Sequence, residues 1–225
     1  MVNLLLCGNK KVFDGALTQL ISITNRTAEI INCYIFTMNL ERINSEYLSI
    51  TDEQIEILNK VVKSKNEKNR VQKIDVTKIY EKELGLGKNE DAYCTPYTLL
   101  RTLADLVPNM PEKLLYLDID IMVADDISKL YNIDISGYEY AAVKEKYGCW
   151  IIWPDYINAG MLLFNMKEIK KTKLFEKARN LLRTKKMLFA DQDAIYKSTT
   201  KKKIIPRIFN EQSKFNKKDT VICHF

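Results

Sequence analysis

The sequence predicts a single α/β domain, spanning residues 1–225, with a mixed, mostly parallel sheet flanked by helices. Three observations predict it. Short apolar runs of strand length alternate with segments whose apolar residues recur at helical spacing. The chain opens in strand–helix–strand order, which favours a parallel sheet with helices packed on it. Its 225 residues, 46% of them hydrophobic, are enough to bury one core without disulfide or metal staples.

Leu4-Leu5-Leu6-Cys7, ending in Gly8-Asn9, reads as a buried strand and a turn. Phe13, Ala16, Leu17, Leu20 and Ile23 mark a helix, and Ile30–Met38 a second strand. Thr51-Asp52-Glu53-Gln54 is a capping box opening a helix striped by Ile55, Leu58, Val61 and Val62. Arg70–Val76 reads as a strand. Thr95-Pro96 opens a helix with core positions Leu99, Leu103 and Leu106, closed by Pro108. Leu114–Leu117, Tyr138–Val143 and Ala159–Phe164 are further strands. Met166–Lys186 is a long amphipathic helix, Asp191–Ser198 a short one. Ile204–Ile208 and Thr220–Phe225 close the chain with strand-like runs.

Composition removes several function classes. No apolar run nears the roughly 18 residues that suggest a membrane span. Met1–Cys7 lacks a basic leader region, so it does not read as a signal peptide, and a cytoplasmic location is expected. The five cysteines, at 7, 33, 94, 149 and 223, form no CxxC pair and read as reduced core fillers. The single histidine, His224, argues against hydrolase triads and against zinc sites built from clustered His and Cys. The net charge of +6 is uneven: residues 165–218 carry 17 basic and 5 acidic side chains, the rest 18 and 24. Such polarity suits a phosphate-bearing partner or an anionic membrane surface met peripherally; a lysine-rich solvated face is the alternative. Nothing in the stretch resembles base readout or a stacking platform, so nucleic acid is not expected.

Asp118-Ile119-Asp120 follows the strand Leu114–Leu117. In an extended segment both carboxylates leave on one face, and together they are costly unless a cation lies between them. Oxygen ligands suit Mg²⁺ or Mn²⁺ bridging to a phosphate, and the carboxyl edge of an α/β sheet is where ligands bind. Two solvated loop carboxylates are the alternative. His224 follows the apolar run Val221-Ile222-Cys223, so it reads as near the core and able to add a nitrogen ligand, which favours Mn²⁺ over Mg²⁺. Asn158-Ala159-Gly160 permits close backbone approach to a ligand. Asp191-Gln192 offers a carboxylate and an amide to a polar site, or Asp191 is a simple N-cap. Arg101 on an apolar helix face is either a phosphate or sugar contact or an arginine snorkelling to the surface.

Taken together, these pieces resemble glycosyltransferase family 8, retaining enzymes that include glycogenin-like and bacterial lipooligosaccharide galactosyltransferases. The resemblance covers nearly the whole chain and rests on Leu99-Leu100-Arg101, Leu115–Asp120, Tyr156–Asn165, Asp191–Ala194 and Cys223–Phe225, in matching order and spacing. It implies a GT-A (Rossmann-like) fold and a UDP-sugar donor. It also implies Mn²⁺, with Mg²⁺ as the alternative, on Asp118, Asp120 and His224. Arg101, Asn158 and Gly160 would contact the donor, with Cys7, Gly8, Asn9 and Ile119 completing that set. Asp191 and Gln192 would lie beside the reacting sugar carbon, with transfer of glucose or galactose to a glycan or lipid-linked acceptor. Retention would proceed through a covalent intermediate or front-face attack.

Two departures accompany the resemblance. Asn9 stands where the family usually has an aspartate for uracil. The chain ends at Phe225, before the family's Lys-Pro-Trp-like segment, and the expectation is that this usual C-terminal segment is missing. Two other readings remain on the sequence alone. One is a non-catalytic nucleotide-binding or membrane-associated module. The other is a haloacid-dehalogenase-like phosphatase, disfavoured by the mid-chain place of Asp118 and by Met122.

Overall fold

The computed structural model describes residues 1–90, 95–213 and 218–225; Cys94 lies outside them. In chain order, β1 is Val2–Cys7, α1 Phe13–Thr24, β2 Ile31–Thr37, α2 Asp52–Lys63, β3 Arg70–Asp75 and α3 Thr77–Glu83. A 3-10 helix over Pro96–Leu103 precedes β4 (Lys113–Leu117), β5 (Ile121–Val123) and α4 (Ser128–Tyr131). Then come β6 (Tyr140–Lys144), α5 (Gly148–Ile151), β7 (Ile157–Asn165), α6 (Met166–Thr172), α7 (Leu174–Thr184), α8 (Ala190–Ser198), β8 (Lys202–Ile204) and β9 (Ile222–His224).

Seven strands form one sheet in the order β3-β2-β1-β4-β7-β6-β8. Every neighbouring pair is parallel except the two made by β7, which runs against β4 and β6. This is the mixed, mostly parallel sheet that the sequence predicts. The apolar runs are continuous because both faces are covered. Leu4 and Leu6 of β1 pack with Leu115 and Leu117 under α1 and α2, while Leu5 and Cys7 pack with Leu114 and Tyr116 on the other face. The chain winds from β1 to β2 and β3 on one side, then returns to place β4 on the other. The resulting switch point opens a crevice beyond the carboxyl ends of β1 and β4. Those ends carry Cys7-Gly8-Asn9 and Asp118-Ile119-Asp120.

The capping box at Thr51 forms as predicted: Gln54 N–H donates to Thr51 Oγ1 at 3.2 Å, and Thr51 N–H to Gln54 Oε1 at 3.0 Å. Four of the expected features come out differently, and α3, α4, α5 and β5 are elements the sequence did not predict. The helix predicted over Met166–Lys186 breaks at Lys173, which is left-handed at φ 58°. Its two parts bury separate stripes, Met166 and Ile169 in one, Leu174, Phe175, Ala178 and Leu182 in the other. The helix predicted from Thr95 is a 3-10 turn ending at Leu103 rather than at Pro108, and Thr95 makes no side-chain cap. Tertiary anchors override its one-sided pattern: Tyr97 donates to the Met38 carbonyl at 3.0 Å, and Arg101 is tied into the floor described below. The strand predicted over Ile204–Ile208 ends at Ile204, because Pro206 has no N–H for a ladder. Asp191 is not an N-cap; it lies inside the first turn of α8.

Candidate active site

Lys113–Leu117 is a buried central strand, so the chain emerges at its end with Asp118 held by main chain and side chain alike. Asp118 N–H donates to the Gly160 carbonyl at 2.7 Å, and Gln19 Nε2 donates to the Asp118 carbonyl at 2.7 Å. One carboxylate oxygen, Oδ1, accepts from Arg101 Nη2 at 3.0 Å and from the Tyr116 hydroxyl. That leaves Oδ2 turned toward His224, whose Nε2 is 4.0 Å away.

Arg101 is 2% exposed and does not snorkel. Its Nε lies 3.0 Å from Asp191 Oδ2, its Nη1 donates to the Ala159 carbonyl, and its guanidinium carbon sits 3.9 Å above the Tyr116 ring. One buried cation thus joins the Asp-x-Asp segment, the start of β7 and the start of α8. Burial raises the Asp191 carboxyl above its ordinary range, and the Arg101 charge opposes that rise. Burial also pushes the Cys7 thiol up, which disfavours the thiolate form.

His224 reaches the site by strand pairing. β9 and β5 form a separate two-stranded antiparallel ladder with Ile121 opposite His224, and Phe225 N–H donates to the Asp120 carbonyl at 3.2 Å. This register sets the imidazole beside Asp120, with Nε2 3.3 Å from Asp120 Oδ1. Burial pulls the imidazole pKa down, but the hydrogen bond and charge of Asp120, with Asp118 behind it, hold it above the ordinary value. Gly160 makes room for the ring: a Cβ there would lie 2.1 Å from His224 Cε1.

Ligand atoms of Asp118, Asp120 and His224 all lie within 4.8 Å of one another, the one such group among the described residues. Two carboxylates and an imidazole nitrogen converge on a point beside an open cleft. The donor set therefore fits a divalent cation that keeps further positions for water or phosphate.

The cleft at the switch point has a volume of about 710 Å³. Cys7, Gly8, Asn9, Asp118, Ile119 and Asp120 line it, as does Tyr116 from the floor. Asn9 Oδ1 accepts from Lys11 N–H at 3.0 Å, which fixes the turn at the cleft mouth. Asn158 and Gln192 approach from the β7 side. Asn158 Oδ1 accepts from Gly160 N–H at 2.9 Å, and Gln192 Oε1 accepts from Ala159 N–H at 2.9 Å. All twelve predicted site residues therefore gather at one edge of the sheet. Asp191 and Gln192 stand apart from the cleft wall, on α8. Sequence reasoning missed Tyr47, Tyr97, Lys11 and Tyr116 among the residues lining the cleft, and Asn210 behind it. Tyr116 alternates with Leu115 and Leu117 in an apolar run, and its hydroxyl two residues before Asp118 was a readable signal. The others carry none.

The model of the family described as "Glycosyl transferase family 8" matches residues 3–225. The chain belongs to glycosyl transferase family 8. That membership sets aside the dehalogenase-like reading. Glycogenin of Komagataella phaffii is 42% identical over 53 residues, 24% of this chain and 12% of that protein. A putative glycosyltransferase of Haemophilus influenzae is 30% identical over 96 residues, 37% of this chain and 29% of that protein. The matched stretches thus span less than a third of either relative. Among solved structures, the bifunctional glycosyltransferase WbbM superposes with a TM-score of 0.77 at 16% identity, covering all of this chain and 45% of that one. An active-site mutant of LgtC gives 0.74 at 14% identity, covering all of this chain and 87% of that one. These likenesses establish the glycosyltransferase (GT-A) fold.

Proposed function

We propose that this chain is a glycosyltransferase that moves a hexose, glucose or galactose, from a UDP-sugar to a glycan or lipid-linked acceptor. A divalent cation, Mn²⁺ in preference to Mg²⁺, would be held by Asp118, Asp120 and His224. The observation that carries the reading is the convergence of these three ligands at the sheet's carboxyl edge, where Asp118 and Asp120 line the cleft beyond β1 and β4. When bound, the cation would neutralise charge growing on the departing diphosphate.

The chain's own residues support each part of this reading. Arg101 and Tyr116 occupy one oxygen of Asp118, so the other is oriented before any ligand arrives. Asp120, with 58% of its side chain exposed, is the ligand open to the cleft. Gly8 and Asn9 bring backbone close to a nucleoside, and Tyr47 and Tyr97 supply aromatic walls. On the sugar side, Asp191 is 4% exposed and engaged by Arg101. Gln192, only partly buried, has more surface to offer the sugar.

No helix among the described residues is long and apolar enough to cross a membrane. A cytoplasmic site of action with peripheral contact to an anionic membrane belongs to the same proposal, supported by the basic residues of 165–218.

Hydrolysis of UDP-glucose and UDP-galactose, with and without Mn²⁺, tests the proposal on the wild type and Asp120→Asn. Metal-dependent turnover abolished by the substitution is expected. Turnover without metal, or full activity in the variant, would overturn the metal role. Absence of UDP binding by calorimetry would favour a non-catalytic module.

A further inference from the structure

Asn210 is fully buried, just after a 3-10 turn at Arg207–Phe209, and has no part in the cleft wall. It reaches the site because Glu211 is laced to β9: Glu211 N–H donates to the Ile222 carbonyl, and His224 N–H to the Glu211 carbonyl, each at 2.9 Å. Its amide then lies between two site residues. Oδ1 is 3.0 Å from His224 Nδ1, and Nδ2 donates to Asn158 Oδ1 at 2.9 Å.

The direction of this chain of hydrogen bonds is fixed by its first link. Gly160 N–H is a backbone donor and can only donate, so the Asn158 atom it meets at 2.9 Å is the carbonyl oxygen. The Asn210 group facing that oxygen must then be the NH₂. The other end of the Asn210 amide is an oxygen, which only accepts. His224 Nδ1 must therefore carry a proton; the charged ring also donates from Nε2 toward Asp120, and in the neutral ring Nε2, facing Asp118 and Asp120, keeps its lone pair.

We infer that Asn210 is a positioning residue that locks neutral His224 in the Nδ1–H tautomer, the form able to ligate a metal through Nε2, and pins the Asn158 amide with its oxygen inward. The polarity originates in one backbone amide, that of Gly160, and runs through three side chains to the cation site. The inference rests on the metal reading of Asp118, Asp120 and His224 for its purpose, but not for its measurement.

Long-range proton–nitrogen NMR of ¹⁵N-labelled, metal-free wild type, at a pH where the imidazole is neutral, reads the tautomer directly; the chain's one histidine gives an unambiguous signal. Nδ1–H is expected, and a dominant Nε2–H form would overturn the inference. Asn210→Leu, shown folded by its thermal transition, should lose the tautomer preference and bind Mn²⁺ about 10- to 100-fold more weakly by calorimetry. Unchanged tautomer and affinity would equally overturn it. If Asn210→Leu does not fold, the wild-type tautomer decides alone. If wild type binds no Mn²⁺, the metal reading fails while the tautomer measurement still judges the role of Asn210.

Discussion

The floor and the rim of the sheet's carboxyl edge are built in opposite ways. In the floor, Arg101, Tyr116 and Asp191 are 2%, 2% and 4% exposed, and their polar groups face one another. On the rim, the segment joining β6 to β7 turns Tyr147, Trp150 and Trp153 outward at 62%, 87% and 59% exposure. The rim is ordered from within: Glu145 accepts from Tyr147 and Gly148 N–H groups, and a Cβ on Gly148 would lie 2.5 Å from Tyr156. Its aromatic side chains are nevertheless largely exposed, with Lys146 Nζ over the Tyr147 ring at 4.6 Å. The contrast separates two kinds of residue at one edge: those buried and tied to one another, and those left exposed.

Substitutions should respect this division. Arg101→Met leaves the Asp118 and Asp191 carboxylates without their cation, so a loss of about 3–5 kcal/mol is expected in urea unfolding. A loss below about 1 kcal/mol would dissolve the distinction between floor and rim. Gly160→Ala drives a Cβ into the His224 ring and should cost about 1–3 kcal/mol by overpacking. Calorimetry with Mn²⁺ should also show weakened binding, because the imidazole must leave its seat.

At the other end of β6 from the rim, Glu139 sharpens the comparison through pH. It is 1% exposed at the β6–β8 seam and accepts from Thr200 N–H at 2.8 Å and Lys201 N–H at 3.1 Å. Burial pushes its carboxyl up, but hydrogen bonds, including those from Thr199, Thr200 and Lys201, outweigh it and hold the group below its ordinary value. A lowered folded pKa stabilises above the unfolded value near 4.3, and that contribution disappears as pH falls through the folded value. Glu139→Gln should therefore cost about 1–3 kcal/mol at pH 7 and progressively less in acid, read from urea unfolding across pH. The smallest effect belongs to the rim itself. Trp150→Ala should leave stability within about 0.5 kcal/mol and Mn²⁺ affinity unchanged.

Much of the fold was legible because its signals are local. The continuous burial of Leu4, Leu5, Leu6 and Cys7, the Thr51 box and the Asp-x-Asp after a buried strand each follow from neighbours in sequence. The break at Lys173 was hidden, since the apolar stripe of 166–186 reads as one helix and only packing splits it. In the site, the side chains called from motifs all came to one edge. Their division of labour was not legible. Arg101 has two readings by pattern, surface or ligand, and the structure gives it a third, a buried link between two carboxylates. Asn210 carries no sequence signal, because its place depends on pairing of Glu211 with β9.

β7 has one further consequence. As the one strand of the seven-stranded sheet running against its neighbours, it enters that sheet at the ligand edge, so Asn158, Ala159 and Gly160 lie at the beginning of a ladder rather than in a loop. The amide of Asp118 is closed onto the Gly160 carbonyl within that arrangement. Its hydrogen should exchange with solvent only when the central strands separate, at the rate of global opening, whereas amides of the 146–153 rim should exchange through local opening orders of magnitude sooner. Slow exchange at Asp118 beside fast exchange across 146–153 would mark the two halves of one edge as separate cooperative units.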